Sequence, residues 1–310
     1  MEASKRIPLT QSSMGSLGAC EELYRLKYIE GLRSRAYKPA RSIGSAFHAG
    51  VEHGSSEEAE RVYRSSCGSP WLKLEEEKVD ADVAIIRAMV DGALSRWTVW
   101  PDRREVAFNF PLRNPSTGRM STRHTLAGVI DGIFDLSIDA PEGLKERAQG
   151  RRFALCEYKT AGQVSPDYIR RLDLDKQITT YLVAASHLLG EPVRDMVYRV
   201  VRKPSIRPRK NETIPEYAER VQADYQERPD FYFTEVVISR SGEEIERWWH
   251  ETWEVHRRVL RLENGEMPIR NVRSCLDFGR CDFLDLCRGV VTPEAYDVLD
   301  NHHPELPSGD

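Results

Sequence analysis

The amino-acid sequence predicts a mixed α/β fold, and three observations support this prediction. Short apolar runs that alternate in the manner of β-strands occupy the middle of the chain. Segments with the three- and four-residue spacing of amphipathic helices lie before, between and after these runs. The 310 residues contain no internal repeat and no low-complexity linker. We therefore predict one α/β domain over residues 1–310, with its core at about 40–240.

Composition and charge limit the class of protein. Hydrophobic residues make up 40% of the chain and charged residues 30%, which is normal for a globular protein with a core. The net charge is −4, so any basic footprint for nucleic acid must be local. Residues 1–13 lack the apolar core of a signal peptide, and no apolar run reaches membrane-spanning length. We expect a cytoplasmic protein with no membrane partner and with reduced cysteines.

The predicted elements follow one another along the chain. Hydroxyl side chains at residues 10–13 cap a helix that runs to about residue 29 and stops at Gly31. Further helices are predicted at residues 43–53, 79–97, 172–189, 215–228 and 243–262. Strands are predicted around residues 106–110, 128–132, 153–160, 197–201 and 231–238. A tail with three cysteines ends the chain.

Two of these strands carry charged residues where apolar ones are expected. Glu157 and Lys159 end an apolar run, and they point the same way because alternate residues of a strand share a face. Asp131 follows a second apolar run. Two carboxylates and a lysine at the ends of adjacent strands are what a divalent-metal site for phosphate chemistry requires. A lone E-x-K triplet is more often a pair of solvated charges, so the prediction depends on the accompanying motifs.

Three cysteines lie at regular spacing near the C-terminus, with five residues between Cys275 and Cys281 and five between Cys281 and Cys287. The intervening residues are too polar for core packing, so thiolates placed this way favour a soft metal. Structural zinc usually has closer ligand pairs, which this sequence lacks. An iron–sulfur cluster takes four thiolates and accepts irregular spacing. We favour the cluster over zinc, and zinc over free thiols.

The other cysteines are less informative. Spacing alone does not identify Cys20, in the first predicted helix, as a fourth ligand. Cys67 lies in a Gly/Ser-rich segment that is predicted to be a loop, and Cys156 faces away from Glu157. Neither of these two is expected to bind a cluster.

Two further motifs are weak when each is taken alone. His48 ends a Gly-x₃-His motif in a predicted helix, and Glu52 and His53 are competing candidates for a ligand. Gln177 and Tyr181 lie at i and i+4 on one face of the long helix, where a solvated polar pair is the simpler interpretation. The apolar stripe predicted opposite them comprises Leu174, Ile178, Leu182, Ala185 and Leu189.

Together, and in this order, the motifs resemble those of the PD-(D/E)XK nuclease superfamily. The matching motifs are Gly-x₃-His48, Gly-x-x-Asp131, Glu157-x-Lys159 and Gln177-x₃-Tyr181. Cys20 and the three C-terminal cysteines resemble the cysteines of the iron–sulfur branch of this superfamily. That branch includes AddB- and RecB-like exonucleases and CRISPR-associated RecB-like exonucleases, and phage-borne relatives are similar. The resemblance covers residues 12–287. This chain differs from some relatives in the spacing of the C-terminal cysteines, because two of these cysteines lie closer together in those relatives.

The resemblance implies a restriction-endonuclease-like mixed sheet flanked by helices. It also implies a 4Fe–4S cluster that joins the N-terminal helix to the C-terminal tail. The cluster ligands would be Cys20, Cys275, Cys281 and Cys287. Such a cluster would be a structural clasp.

For the catalytic site, the resemblance implies one or two Mg²⁺ or Mn²⁺ ions. The ligands would be His48, Asp131, Glu157 and the backbone carbonyl of Tyr158. Lys159 would orient and activate the attacking water and stabilise the transition state. The scissile phosphate or the lysine would be positioned by Gln177 and Tyr181.

We therefore predict a metal-dependent DNA exonuclease that acts on single- or double-stranded ends in recombination, repair or end processing, with a helicase or recombination protein as partner. The alternatives are a structure-specific endonuclease, a CRISPR-type DNA end trimmer, and a non-catalytic DNA-binding module associated with a helicase. The intact charged triad disfavours the last of these. Basic segments at residues 33–41, 151–152, 170–171 and 202–210 fit a DNA track, although each alone is typical of ordinary surface.

Overall fold

The computed structural model describes residues 6–35, 39–67, 76–276 and 279–306. The chain folds into two compact units. Unit 1 comprises Met1–Ala36, Ala107–Val129 and Arg240–Asp310, and unit 2 comprises Tyr37–Val106 and Ile130–Ser239. The single domain over residues 1–310 stays a prediction.

Helices and strands are interspersed along the described chain. The strands are β1 (Ile7–Leu9), β2 (Leu32–Arg33), β3 (Arg103–Arg113), β4 (Met120–Asp135), β5 (Phe153–Ala161), β6 (Asp195–Arg202), β7 (Phe233–Ser239) and β8 (Asp297–Val298). The helices are α1 (Gln11–Ala19), α2 (Glu21–Tyr24), α3 (Pro39–His53), α4 (Ser56–Cys67), α5 (Glu76–Arg96), α6 (Leu144–Ala148), α7 (Pro166–Leu172), α8 (Lys176–Leu189), α9 (Ile214–Glu227), α10 (Pro229–Tyr232), α11 (Gly242–Glu263) and α12 (Leu284–Cys287). A π-helical turn, Arg25–Ile29, continues α2.

Unit 2 contains a mixed sheet flanked by helices, as predicted. The end of β4 pairs antiparallel with β5, β5 pairs parallel with β6, and β6 pairs antiparallel with β7. One face of β5 and β6 packs on α3, α5 and α9 in a single apolar core. Alternate residues of β5, namely Ala154, Cys156 and Tyr158, belong to this core. Glu157 and Lys159 therefore point to the opposite face.

Unit 1 joins the two ends of the described chain. β1 pairs parallel with β4, and β2 pairs antiparallel with β8. The Thr10 hydroxyl donates to Glu305 over 2.6 Å, and the Arg33 guanidinium donates to the His302 carbonyl over 2.8 Å. Gly31 has φ +70°, and a Cβ there would lie 2.7 Å from the Leu299 carbonyl oxygen, so this turn requires glycine. Strand pairing and hydrogen bonds therefore hold the two ends of the described chain together.

The predicted helices and strands are present, with four corrections. The first helix is interrupted at Cys20, whose backbone is extended, so α1 and α2 are separate helices. The helix predicted at 172–189 begins only at Lys176, because Asp175 caps α8 by accepting from the Gln177 N–H, and Leu172 instead ends the separate helix α7. Cys67 ends α4 rather than lying in a loop. The strand predicted from residue 231 begins at Phe233, because the preceding residues form α10. The elements that were not predicted include α4, α6, α10, α12, β1, β2 and β8.

None of the helices in the described ranges is long and apolar enough to cross a membrane. The two longest, α5 and α11, carry charged residues along their length. The cytoplasmic location stays a prediction.

Candidate active site

The register of β4 and β5 brings the predicted charged residues onto one face. Gly132 lies opposite Cys156, so the preceding Asp131 lies beside Glu157. The backbone N–H of Tyr158 donates to Asp131 Oδ2 over 2.8 Å, which fixes this carboxylate against β5. A Cβ on Gly132 would meet the Pro101 ring at 2.4 Å. Only glycine therefore lets the chain place Asp131 here without displacing Pro101.

The two carboxylate oxygens of Glu157 have different surroundings. The residue is 1% exposed. Its Oε1 accepts from the Lys159 ammonium and, over 2.8 Å, from the side-chain amide of Gln177. Its Oε2 is buried and, among the described residues, has no hydrogen-bond partner. An unsatisfied buried carboxylate oxygen is unfavourable, so this atom fits a site for a cation.

The structure also contains a group of potential metal ligands. One donor atom from each of His48, Glu105 and Asp131 lies within 4.8 Å of the others. His48 Nδ1 is 3.6 Å from Asp131 Oδ2, and the imidazole also hydrogen-bonds to the backbone of Tyr158. Oxygen and imidazole donors of this kind fit a divalent metal. The structure thus brings His48, Asp131 and Tyr158 together as predicted, and adds Glu105.

Glu105 was not predicted, and the sequence contains no signal that would have identified it. It begins the alternating part of β3 after two arginines and looks like a solvated charge. Its φ of 47° lies in the left-handed region, which is uncommon for a residue other than glycine. Next to it, the Arg104 guanidinium donates to the Glu52 carbonyl of α3 over 2.7 Å. This contact ties the strand that bears Glu105 to the helix that bears His48.

The electrostatics of the site favour a bound cation. Burial, together with the nearby Asp131 carboxylate, raises the pKa of Glu157 to about 7. Burial and then the positive charge of Lys159 lower the pKa of His48 to about 4, so the imidazole is neutral and able to bind a metal. Burial tends to lower the pKa of the Lys159 ammonium, but the negative charges of Glu157 and Asp131 outweigh burial and raise this pKa. Lys159 therefore stays protonated.

Helix α8 brings the Gln177 and Tyr181 pair to the site. Gln177 donates to Glu157, and the two helical side chains hydrogen-bond to each other. Burial and then the Glu157 charge raise the pKa of the Tyr181 hydroxyl, which stays protonated. The pair thus faces the sheet, not solvent. Leu174, predicted to be in the apolar stripe of this helix, is instead 86% exposed in the turn before it.

The close packing of α3 gives the two candidate ligands His48 and His53 different surroundings. A Cβ on Gly50 would lie 2.6 Å from Val90 and 2.9 Å from Ala59, so glycine permits this close approach to α5 and α4. The packing holds His48 at the sheet. His53 is exposed, and its ring hydrogen-bonds to the Ala49 carbonyl of its own helix. The other competitor, Glu52, is not in the ligand group found among the described residues.

The four predicted cluster cysteines lie together in unit 1. Cys20, Cys275, Cys281 and Cys287 line one cavity of about 460 Å³. Their sulfur atoms do not form a ligand group within 4.8 Å in the described part of the chain, so the iron–sulfur cluster is not confirmed. The remaining two cysteines lie in unit 2. Burial raises the pKa of the Cys156 thiol to about 12, which makes that thiol inert.

Some arginines of the predicted basic segments pair with carboxylates, and others lie over aromatic rings. Arg151 pairs with Asp195, Arg152 with Asp135, and Arg170 with Asp167. Arg171 and Arg202 instead stack on the rings of Tyr168 and Phe231. Lys38 of the first basic segment, and the side chain of Arg41, lie outside the described residues.

Comparisons with known proteins agree with this architecture. A family model described as the PD-(D/E)XK nuclease superfamily matches residues 8–288. The fold is similar to a solved structure named "Putative exonuclease" from Eubacterium rectale, with 14% identity and a TM-score of 0.50, covering 92% of this chain and 88% of that one. At that identity the similarity supports the fold alone. No curated protein matches the chain. Because the family model covers most of the sequence, the chain belongs to the PD-(D/E)XK nuclease superfamily.

Proposed function

We propose that this nuclease is a Mg²⁺- or Mn²⁺-dependent deoxyribonuclease that hydrolyses phosphodiester bonds at DNA ends. The observation that carries the proposal is the Glu157 carboxylate, which has one oxygen held by Lys159 and Gln177 and the other buried without a protein partner among the described residues. A buried oxygen left in this way needs a cation. The donor atoms of His48, Glu105 and Asp131, which converge within 4.8 Å, would supply further ligands.

The proposed roles of the residues follow from their contacts. His48, Glu105, Asp131 and Glu157 would hold the metal, which when bound polarises a phosphoryl oxygen and lowers the pKa of a coordinated water. Lys159 acts as a permanent cation, because its raised pKa prevents it from accepting a proton at neutral pH. It therefore orients the water and stabilises the negative charge of the transition state, and is not a general base.

Gln177 and Tyr181 act on the geometry of the site. Gln177 holds Glu157 Oε1, so Oε2 would be the oxygen of this carboxylate that binds the metal. Tyr181, hydrogen-bonded to Gln177 and protonated, is placed to donate to the scissile phosphate or to orient the lysine. The Tyr158 carbonyl, beside His48, is a further proposed ligand.

The deciding experiment compares end-labelled linear DNA with circular single-stranded DNA, each with Mn²⁺, with Mg²⁺ and with a chelator. We expect metal-dependent release of nucleotides from linear DNA and no cleavage of the circle. Cleavage of the circle would instead identify an endonuclease. Metal-independent binding without cleavage of any DNA would identify a DNA-binding module. Trimming confined to short overhangs would identify an end trimmer.

The biological setting is a further part of the proposal. The nuclease would act in recombination, repair or end processing, together with a helicase or recombination protein. Stimulation of digestion by a DNA helicase on blunt duplex, but not on DNA that is already single-stranded, would support such a partner.

We also propose that Cys20, Cys275, Cys281 and Cys287 bind a 4Fe–4S cluster. The supporting observation is that these four cysteines line one cavity, whereas Cys67 and Cys156 lie elsewhere. Four thiolates are the complement that such a cluster takes. Zinc in the same cavity is the alternative, and metal analysis after anaerobic purification separates the two.

A further inference from the structure

Helix α7 lies between the two elements that carry the catalytic residues. In the chain it follows β5, which bears Glu157 and Lys159, and precedes α8, which bears Gln177. Ser165 caps the helix by accepting from the Tyr168 N–H over 3.1 Å. The turn after the helix is held by a 3.0 Å bond from the Leu174 N–H to the Arg171 carbonyl. Residues on this short segment are therefore held in place near the active site.

Tyr168 is connected to the catalytic strand through Tyr198. On β6, Tyr198 lies opposite Glu157, on the same face of the sheet, and it is 4% exposed. The charge of Lys159 acts on the Tyr198 hydroxyl, which hydrogen-bonds to the side chain of Tyr168. Tyr168 itself is only half-buried. An aromatic ring with an accessible portion is thus attached to the residues that surround the catalytic lysine.

The surface around Tyr168 has the chemistry of a nucleobase contact. The Arg171 guanidinium lies 5.7 Å from the centre of the Tyr168 ring and is exposed. Arg171 has no carboxylate partner among the described residues, whereas the adjacent Arg170 pairs with Asp167. Leu174, at the i+6 position from Tyr168, is the most exposed of the large hydrophobic residues in the described chain. Apolar and cationic groups therefore meet beside an aromatic ring.

We infer that Tyr168, Arg171 and Leu174 form a base-stacking subsite for the unpaired DNA strand whose phosphate lies at Lys159. Every base has a flat face, and aromatic rings flanked by arginine bind such faces without reading the sequence. A base-paired duplex keeps its base faces stacked inside the helix, so this subsite selects a single-stranded or frayed end. The inference rests on the proposed DNA cleavage, and it assigns the strand state of the substrate.

The test measures DNA binding in chelator, where no cleavage occurs. The probes are a fluorescein-labelled oligodeoxythymidylate and a blunt duplex of the same length. Tyr168→Ala should weaken single-strand binding about tenfold and duplex binding less than about twofold. Tyr168→Phe should bind like the wild type, because it keeps the ring and loses only the hydroxyl. Arg171→Ala should weaken single-strand binding about fivefold.

Arg170→Ala is the matched control, because it removes a neighbouring arginine that is already paired with Asp167. We expect it to change single-strand binding less than about twofold. A second readout uses an oligonucleotide with 2-aminopurine near its end, whose fluorescence should be quenched by the wild type and not by Tyr168→Ala. Thermal unfolding of each variant checks that the fold is intact.

Three results would overturn the subsite: unchanged single-strand binding in Tyr168→Ala, an equal loss for duplex, or a Tyr168→Phe variant as weak as Tyr168→Ala. The last result would mean that Tyr168 affects DNA binding through its hydrogen bond to Tyr198, which positions β6, and not by stacking on a base. The proposed function fails separately. If the wild type stacks 2-aminopurine through Tyr168 but cleaves no DNA with metal, the subsite stands and the nuclease assignment of the site falls.

Discussion

Each unit of this nuclease buries a polar cluster, and the two clusters differ in how their ligand atoms are arranged. In unit 2, the Glu157 and Lys159 pair lies beside donor atoms that converge within 4.8 Å. In unit 1, His124 and His256 are buried with ring centres 5.1 Å apart, and His124 bonds to Glu263 over 3.0 Å. Both imidazoles have a buried Nδ1 without a partner among the described residues, yet the unit 1 donors do not converge.

The difference between the units shows that burial of polar groups does not by itself make a metal site. The unit 1 cluster joins β4 to α11, because His124 lies on the strand and both His256 and Glu263 lie on the helix. The unit 2 cluster comes from β3, β4, β5 and α3, and its donor atoms on His48, Glu105 and Asp131 converge within 4.8 Å. Convergence of ligand atoms from several elements is what distinguishes the proposed metal site in unit 2.

The largest effect is expected for Asp131→Ala, Glu157→Ala and Lys159→Ala. Each should lower the rate of metal-dependent DNA cleavage by about 10³-fold or more, because each removes a separate part of one charge-stabilising site. Single-turnover digestion of labelled DNA measures the loss, and circular dichroism checks the fold. His256→Gln is the control from the other cluster. A near wild-type rate for Lys159→Ala would contradict the proposed site.

The second prediction concerns the cysteine cavity. Protein purified without oxygen should be brown and contain about four irons and four sulfides per chain. Cys20→Ser or Cys281→Ser should lose the colour and about 2–4 kcal/mol of unfolding free energy, because the cluster closes a long loop. Unit 1 should stay folded, since β2–β8 pairing and the Thr10–Glu305 bond also join the chain ends.

Cys67→Ser and Cys156→Ser are the matched controls for the cavity, and both should keep the iron. Stoichiometric zinc without iron in the wild type would replace the cluster by a zinc site. A coloured and stable Cys20→Ser protein would exclude Cys20 as a ligand.

The third prediction sharpens the definition of the metal site. His48→Ala and Glu105→Gln should each weaken Mn²⁺ binding about 10- to 100-fold, because each removes one ligand from a convergent group. Isothermal titration calorimetry measures this without DNA. His53→Ala should leave the affinity unchanged, since its ring bonds to its own helix. An equal loss in His53→Ala would contradict the choice of His48.

The smallest effect is a pH dependence that belongs to unit 1. Burial, and then the neighbouring His124, lower the folded-state pKa of His256 to about 4, below the 6.5 expected when it is unfolded. The unfolded chain therefore takes up this proton first. The contribution of neutral His256 to the free energy of unfolding is therefore complete above pH 6.5 and is lost as the pH falls towards 4. We expect this part of the acid destabilisation to be about 1–3 kcal/mol.

Urea unfolding of the wild type and His256→Gln at pH 7.5 and pH 5 tests this dependence. The variant should show the smaller acid-induced loss of stability. His250→Gln, on an exposed part of the same helix, should behave like the wild type. An unchanged pH dependence in His256→Gln would show that other groups control the acid response.

Local patterns in the sequence determined the elements and part of the site. Period-two alternation predicted β5 and placed Glu157 and Lys159 on one face, as the structure has them, because side-chain direction in a strand depends only on neighbouring residues. The hydroxyl cap at Thr10 and the glycine that ends α8 were predicted for the same reason. The family motifs could also be identified from the sequence, because each is a short spacing of residues within one element.

Only the tertiary structure decided which elements meet. Asp131 lies beside Glu157 because of the register of β4 against β5. Gln177 hydrogen-bonds to Glu157 from α8, although the sequence favoured a solvated position for the Gln177 side chain. Glu105 joins the group through a left-handed backbone conformation that nothing local in its sequence favours. Register, close packing at glycine and strained backbone depend on contacts between residues far apart in the chain, which local spacing does not encode.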